Sequence, residues 1–129
     1  MFKKNDPNST DILGKTNRIV HATEIRGDIF SEADFRLDGV LYGNFTCNGR
    51  LVIGSQGRIN GDIKCTNLDI EGVFEGTADV EALITLRSTA VVNGHLRMKN
   101  LTVEEGAKVN ATCEMKKDSS QYLNEQGEE

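Results

Sequence analysis

Apolar side chains return along this chain in short alternating pairs, and the pairs come in sets of three. Leu51–Cys65, L-V-I-G-S-Q-G-R-I-N-G-D-I-K-C, holds one full set: Leu51/Ile53, Ile59/Gly61 and Ile63/Cys65. Between the first two pairs stands Gly54-Ser55-Gln56-Gly57, a turn composition. Alternation with period two over such short lengths predicts strands with one face turned inward. A single set has no core of its own, so its inner faces need further copies to pack against.

Those copies run nearly end to end. With the glycine of Ile59-Asn60-Gly61-Asp62-Ile63 as marker, the equivalent positions are Gly27, Gly43, Gly76, Gly94 and Ala111. Their successive spacings are 16, 18, 15, 18 and 17 residues. Upstream of each marker lies one apolar pair (Phe35/Leu37, Leu51/Ile53, Leu68/Ile70, Ile84/Leu86, Leu101/Val103). Downstream lies another (Phe45/Cys47, Ile63/Cys65, Ala78/Val80, Leu96/Met98, Cys113/Met115). The first repeat is cut short and supplies Ile19, Ile25 and Ile29.

A repeat near 17 residues with three short strands predicts one turn of a coil of roughly triangular section. Each strand then pairs with its equivalent one turn above and below, about 4.8 Å away, and the side-chain columns fill the axis. The fold expected is an all-β parallel solenoid of about six turns. A single proline and the lack of amphipathic stretches of helical period argue against helical repeats and against α/β. One corner varies: Ile59 follows Ile53, Val92 follows Leu86 and Val109 follows Val103 by six positions, but Leu41 follows Leu37 and Phe74 follows Ile70 by four. Solvent-facing corners tolerate such insertions.

Length and charge then narrow the picture. The 129 residues suit one domain, and a net charge of −5 is the wrong sign for a general nucleic-acid binder. No apolar run approaches the roughly 20 residues of a membrane span, and no signal-peptide core precedes the repeats, so a cytoplasmic protein is expected. Residues 1–18 are polar and broken by Pro7, and residues 116–129 lose the column pattern and end acidic. Both read as flexible flanks of a core at 19–115. In the first flank Ile12 and Leu13 form an isolated apolar spot, and in the second Tyr122-Leu123 is a pair able to fold back on the last turn.

The tip Met1-Phe2-Lys3-Lys4 sets two apolar side chains beside two cations, a combination that can rest on an anionic membrane. Burying a phenylalanine is worth about 1.5–3 kcal/mol, and each lysine near anionic lipid roughly 1 kcal/mol. The sum corresponds to about millimolar affinity at best. One copy would hardly hold; a row of copies on one polymer would hold by avidity.

Candidate chemistry is sparse. Cys47 and Cys65 share a column on adjacent turns, within reach of a disulfide, and Cys113 lies in the column of Phe45 and Ile63. An odd count of cysteines without a secretion signal favours reduced core thiols, and no histidine or acid joins them as a metal site. His21 and His95 fall on different turns without a nucleophile or acidic partner at recognisable spacing. No phosphate-binding glycine loop occurs, a filled solenoid offers no pocket of its own, and neither catalytic residues nor a cofactor is expected. Outward positions form neither a threonine array nor a basic stripe.

Function is therefore expected at the ends. Each terminal turn presents unpaired strand edges over an apolar cross-section, a template that most solenoids hide under a cap. The first turn offers Ile19, Ile25 and Ile29; the last offers Leu101, Val103, Val109, Cys113 and Met115. End-to-end stacking of subunits follows, with no need of a nucleotide.

The turns I-R-G-D-I, D-F-R-L-D-G, G-R-L-V-I-G, G-R-I-N-G-D-I-K-C-T-N-L-D-I-E-G and L-T-V-E-E-G-A-K-V-N-A-T-C resemble those of the bactofilins, bacterial cytoskeletal proteins, over roughly residues 19–115. The resemblance implies a right-handed β-helix that polymerises through its terminal turns into non-polar filaments. It also implies a scaffold at the inner membrane that places cell-wall enzymes and helps set cell shape. Many members carry a membrane-binding N-terminal peptide, which Met1, Phe2, Lys3 and Lys4 match. The last turn departs from the family's pattern in holding Cys113 and Met115 but no phenylalanine. Two other classes compete. An acyltransferase of left-handed β-helix type would show strict hexapeptides and a catalytic histidine, and a non-polymerising adaptor would bind a peptide along its walls.

Overall fold

The computed structural model describes residues 15–116, and all regular structure there is strand. The tip Met1–Lys4, the Ile12-Leu13 spot and the Tyr122-Leu123 pair lie outside the described residues. Twelve strands follow in order: β1 (Thr16–Ile19), β2 (Glu24–Arg26), β3 (Ile29–Ser31), β4 (Asp34–Leu37), β5 (Val40–Tyr42) and β6 (Phe45–Cys47). Then come β7 (Arg50–Ile53), β8 (Arg58–Ile70), β9 (Val73–Leu86), β10 (Val91–Met98), β11 (Asn100–Val103) and β12 (Lys108–Met115). Every pairing is parallel, and each joins a strand to its equivalent in the next turn. This is the parallel β-solenoid of about six turns that the columns predict.

The register matches the repeat residue for residue. Gly61 stands over Gly76, Gly76 over Gly94 and Gly94 over Ala111. On another face Leu51, Leu68 and Ile84 align, as do Ile53, Ile70 and Leu86. Inward positions alternate with outward ones, so the columns form one core from Phe35 to Met98 in which Leu37, Leu41, Ile53, Ile59, Phe74 and Val92 are fully buried. Phe35 and Phe45 meet edge to face at 4.8 Å between ring centres.

Two corners, rather than one, generate the uneven spacing. At the long form of the first corner a tight turn closes on itself: Gly57 N–H donates to Gly54 O, Ala90 N–H to Arg87 O and Ala107 N–H to Glu104 O. The second corner, missed in the sequence, adds a residue in β9, where the register slips between Cys65/Val80 and Asn67/Leu83. Stacking continues across the corners, as Arg58 N–H donates to Gly39 O and Val73 N–H to Gly57 O. The backbone is thus satisfied between turns even where the chain bends.

The marker glycines sit at the third corner with φ from 133° to 149° at Gly27, Gly43, Gly61, Gly76 and Gly94. A Cβ at any of the last four would land on the carbonyl oxygen of the glycine one turn away. Only glycine fits both constraints.

The walls are laced by charge pairs. Asp69 is an outward residue that is nevertheless buried, because Arg87 lies across it with contacts of 2.8 to 3.3 Å and continues to Glu104 at 3.0 Å. Paired carboxylates on both sides push the Arg87 guanidinium pKa up, with the Asp69 hydrogen bond the largest cause.

Candidate functional site

Among the described residues, the strands at the two ends are paired on one side only. At one end β1 pairs β4, β2 pairs β5 and β3 pairs β6; at the other β11 pairs β9 and β12 pairs β10. Among the described residues nothing covers either outer edge.

At the first end Ile19, Ile25 and Ile29 come from β1, β2 and β3, one from each side of the triangle. All three are half-buried against the core. Two further inner positions of this turn belong to Asn17, opposite Phe35, and to Ser31, opposite Cys47, and the sequence reading passed over both. The Ser31 hydroxyl donates to Ala33 O at 3.0 Å and accepts from Asn17 Nδ2 at 3.2 Å. The signal was available: Ser31 precedes Cys47 in the same column, as the β3–β6 register shows.

At the second end β11 supplies Leu101 and Val103, and β12 supplies Val109, Cys113 and Met115. Leu101 is half-buried, whereas Val103, Val109 and Met115 are 49%, 39% and 52% exposed. Ala107 and Ala111 complete this surface and pack on the core beneath it. The structure thus gathers each predicted set at its own end. Lys116 closes the last corner: its N–H donates to Met98 O at 2.6 Å, and its Nζ pairs with Asp79 two turns back. That hydrogen bond holds the Asp79 carboxyl below the usual carboxylate range, with Arg97 and Lys64 adding to the effect.

The cysteines are all free thiols. Cys47 and Cys65 are buried, their Sγ atoms donating to Ala33 O at 3.2 Å and Asn67 O at 3.3 Å. Burial pushes the Cys65 thiol up to about 12, and neighbouring Cys47 adds to it. Cys113 keeps its column but is exposed, since among the described residues no strand pairs with the outer side of β12. A shallow cleft of about 280 Å³ opens along the corner beside Cys47 and Cys65, between Lys64, Asp79, Glu81 and Lys116. His95 lies 3.5 Å from Glu114 on the outer wall. Among the described residues no helix is long and apolar enough to cross a membrane.

A family model described as "Bactofilin: Polymer-forming cytoskeletal" matches residues 17–114. No curated protein and no solved structure matches the chain.

Proposed function

The chain belongs to the bactofilin family of polymer-forming cytoskeletal proteins, and on that premise we propose that it assembles end to end, without nucleotide, into non-polar filaments. These filaments lie on the inner face of the cytoplasmic membrane and serve as a scaffold for the proteins that build or remodel the cell wall. One observation carries the reading: among the described residues both ends present one-sided strands over apolar side chains. Fully burying a valine, leucine or methionine side chain is worth about 1.5–3 kcal/mol, and open strand edges add register to that attraction. The contact surfaces are Ile19, Ile25 and Ile29 at one end and Leu101, Val103, Val109, Cys113 and Met115 at the other.

Sedimentation and electron microscopy test the assembly. The native chain pellets as filaments, whereas Val103→Glu and Val109→Glu remain folded and stay in the supernatant. An unpaired charge trapped between ends costs several kcal/mol, on the order of a thousandfold in affinity. Filaments persisting in both variants would rule out contact through the last turn.

Membrane attachment is assigned to Met1, Phe2, Lys3 and Lys4. One copy binds too weakly to be held, so attachment requires the polymer. Deleting residues 1–4 releases filaments from anionic vesicles, and Val109→Glu releases the subunit as well. Unchanged co-sedimentation of the deletion variant would place the contact elsewhere. A pull-down from membrane extract identifies the wall-building partners.

A further inference from the structure

The first end of the solenoid is a ramp with one step. Successive turns rise by one strand spacing, about 4.8 Å. The step falls where the chain leaves Ser31 and reaches Asp34, since β4 lies one level above β1. Two such ramps fit face to face in one way. A half-turn about an axis through the step and the middle of the opposite strand, β2, lays each level on its match. Any other axis in that plane leaves the two steps apart. Under this half-turn β2 meets its own copy and β1 meets β3 of the partner subunit, both antiparallel.

The backbone of the end strands agrees with that axis. In a parallel ladder, alternate residues direct both polar groups to the same neighbour. Ile19 O accepts from Asp38 N–H, Thr23 O accepts from Val40 N–H, Gly27 N–H donates to Tyr42 O and Ile29 N–H donates to Asn44 O. Arg18, Glu24, Arg26 and Phe30 therefore turn their N–H and C=O groups to the outer edges. The half-turn centres β2 on Ile25, which sets Glu24 opposite the partner's Arg26. It equally sets Arg18 opposite the partner's Phe30. In both pairs each backbone faces the other, as hydrogen-bonded pairs of an antiparallel ladder do.

The side chains agree as well. On the inner side Ile25 meets its own copy and Ile19 meets the partner's Ile29. On the wall the Arg18 guanidinium comes over the partner's Phe30 ring, 65% exposed in the single subunit, a cation on an aromatic face. Glu24 and Arg26, bridged at 2.6 Å within one chain, close with their copies into a ring of four alternating charges. At the step stand Asn17 and Ser31, joined at 3.2 Å at inner positions whose columns are otherwise apolar. Among the described residues the Asn17 amide has no second partner, and across the axis it faces its own copy.

We propose that the first end binds a second copy of itself about this axis, and that Asn17 and Ser31 are the residues that turn the last end away. This orientation rests on the end-to-end contact proposed above. The backbone alone would also accept a last turn, continuing the solenoid in parallel. That stack would seat Leu101 on Asn17 and Met115 on Ser31, since each stands in the same column. The Asn17 amide would then be buried under apolar carbon with hydrogen-bonding groups unmet, the unfavourable way to bury a polar group. In the two-fold contact the two amides meet each other, as a single buried polar residue fixes register in a coiled coil. First ends join first ends and last ends are left to last ends, so the absence of filament polarity follows from one polar corner.

Disulfide trapping in pelleted filaments of the full chain tests both parts, in a Cys113→Ser background carrying Ile25→Cys and Val109→Cys. Opposed residues of a non-hydrogen-bonded antiparallel pair lie about 4.5 Å apart, so oxidation with diamide joins position 25 to position 25 of the neighbour. Links from position 25 to position 109 stay rare, and adding Asn17→Leu/Ser31→Val raises them roughly tenfold or more. Filaments that pellet but lack the link of position 25 to itself overturn the two-fold contact. A mixed-link fraction unmoved by Asn17→Leu/Ser31→Val overturns the role of the polar corner. A native chain that never pellets fails at the end-to-end contact instead. A charge swap checks the axis without cysteines: Glu24→Arg/Arg26→Glu only reverses the ring of charges and keeps the onset concentration for filaments within about twofold. Head-to-tail stacking would set the swapped residue 24 against Lys108, and a larger rise in onset overturns the two-fold contact.

Discussion

At the residue scale, geometry leaves the least freedom at the glycine corner. Gly43 has φ 149°, and a Cβ there meets the Gly27 carbonyl. Gly43→Ala must strain its own backbone or push adjacent turns away from each other, and the expected cost is about 2 kcal/mol or more. Urea unfolding measures it as a lower midpoint with an unchanged slope. Lys116 and Asp79 give a second expectation, this one dependent on pH. The folded carboxyl of Asp79 is held below its unfolded value, chiefly by the Lys116 hydrogen bond. Its contribution is therefore present above the ordinary aspartate range and lost as pH falls through the lower folded value. The Lys116 amide, bonded to Met98 O, reports on this corner. Its protection relative to the unfolded rate should fall on acidification into that range, and in Lys116→Met the step should vanish.

At the scale of elements, the long corners solve one bend in different ways. Gly106 turns at φ 102°, but Ala22 takes φ 68° in the first-turn corner without being glycine. A left-handed alanine costs roughly 1 kcal/mol. Ala22→Gly relieves that strain against a more flexible unfolded chain, and a small net gain of up to about 1 kcal/mol is expected. A thermal midpoint unchanged or lowered in Ala22→Gly would show that the corner bears no strain. The second corner carries no turn of its own. Thr66 and Asn67 N–H both donate to Gly49 O, at 3.2 and 3.4 Å, so the chain rounds it on shared hydrogen bonds. The added residue in β9 is absorbed at this corner without disturbing Leu68↔Ile84 beyond it.

At the scale of the whole molecule, assembly changes which groups water can reach. Cys113 is exposed on the last turn, while Cys47 and Cys65 are buried with thiols pushed up by burial. A thiol reagent near neutral pH should modify Cys113 alone in the dispersed subunit, the other two reacting only on unfolding. Pelleted filaments should protect Cys113, and equal labelling in both states would place the junction away from the last turn. Period-two pairs at a spacing near 17 were enough to determine the parallel solenoid, its inner columns and both sets of end residues, because each turn repeats the local rule of the one before. The same rule gave Cys113 its column but not its exposure, since burial depends on whether a neighbouring strand covers that column. Ser31 escaped notice because a serine breaks the apolar pattern, and its burial rests on Asn17 and Ala33 closing around it. Asp69 stands at an outward position, and its burial beneath Arg87 follows from a neighbour one turn away. Periodicity along the chain thus determined which way each side chain points. Tertiary structure alone decided which outward side chains meet across turns and how deeply each is covered, because both depend on neighbours that sequence spacing brings near but does not orient.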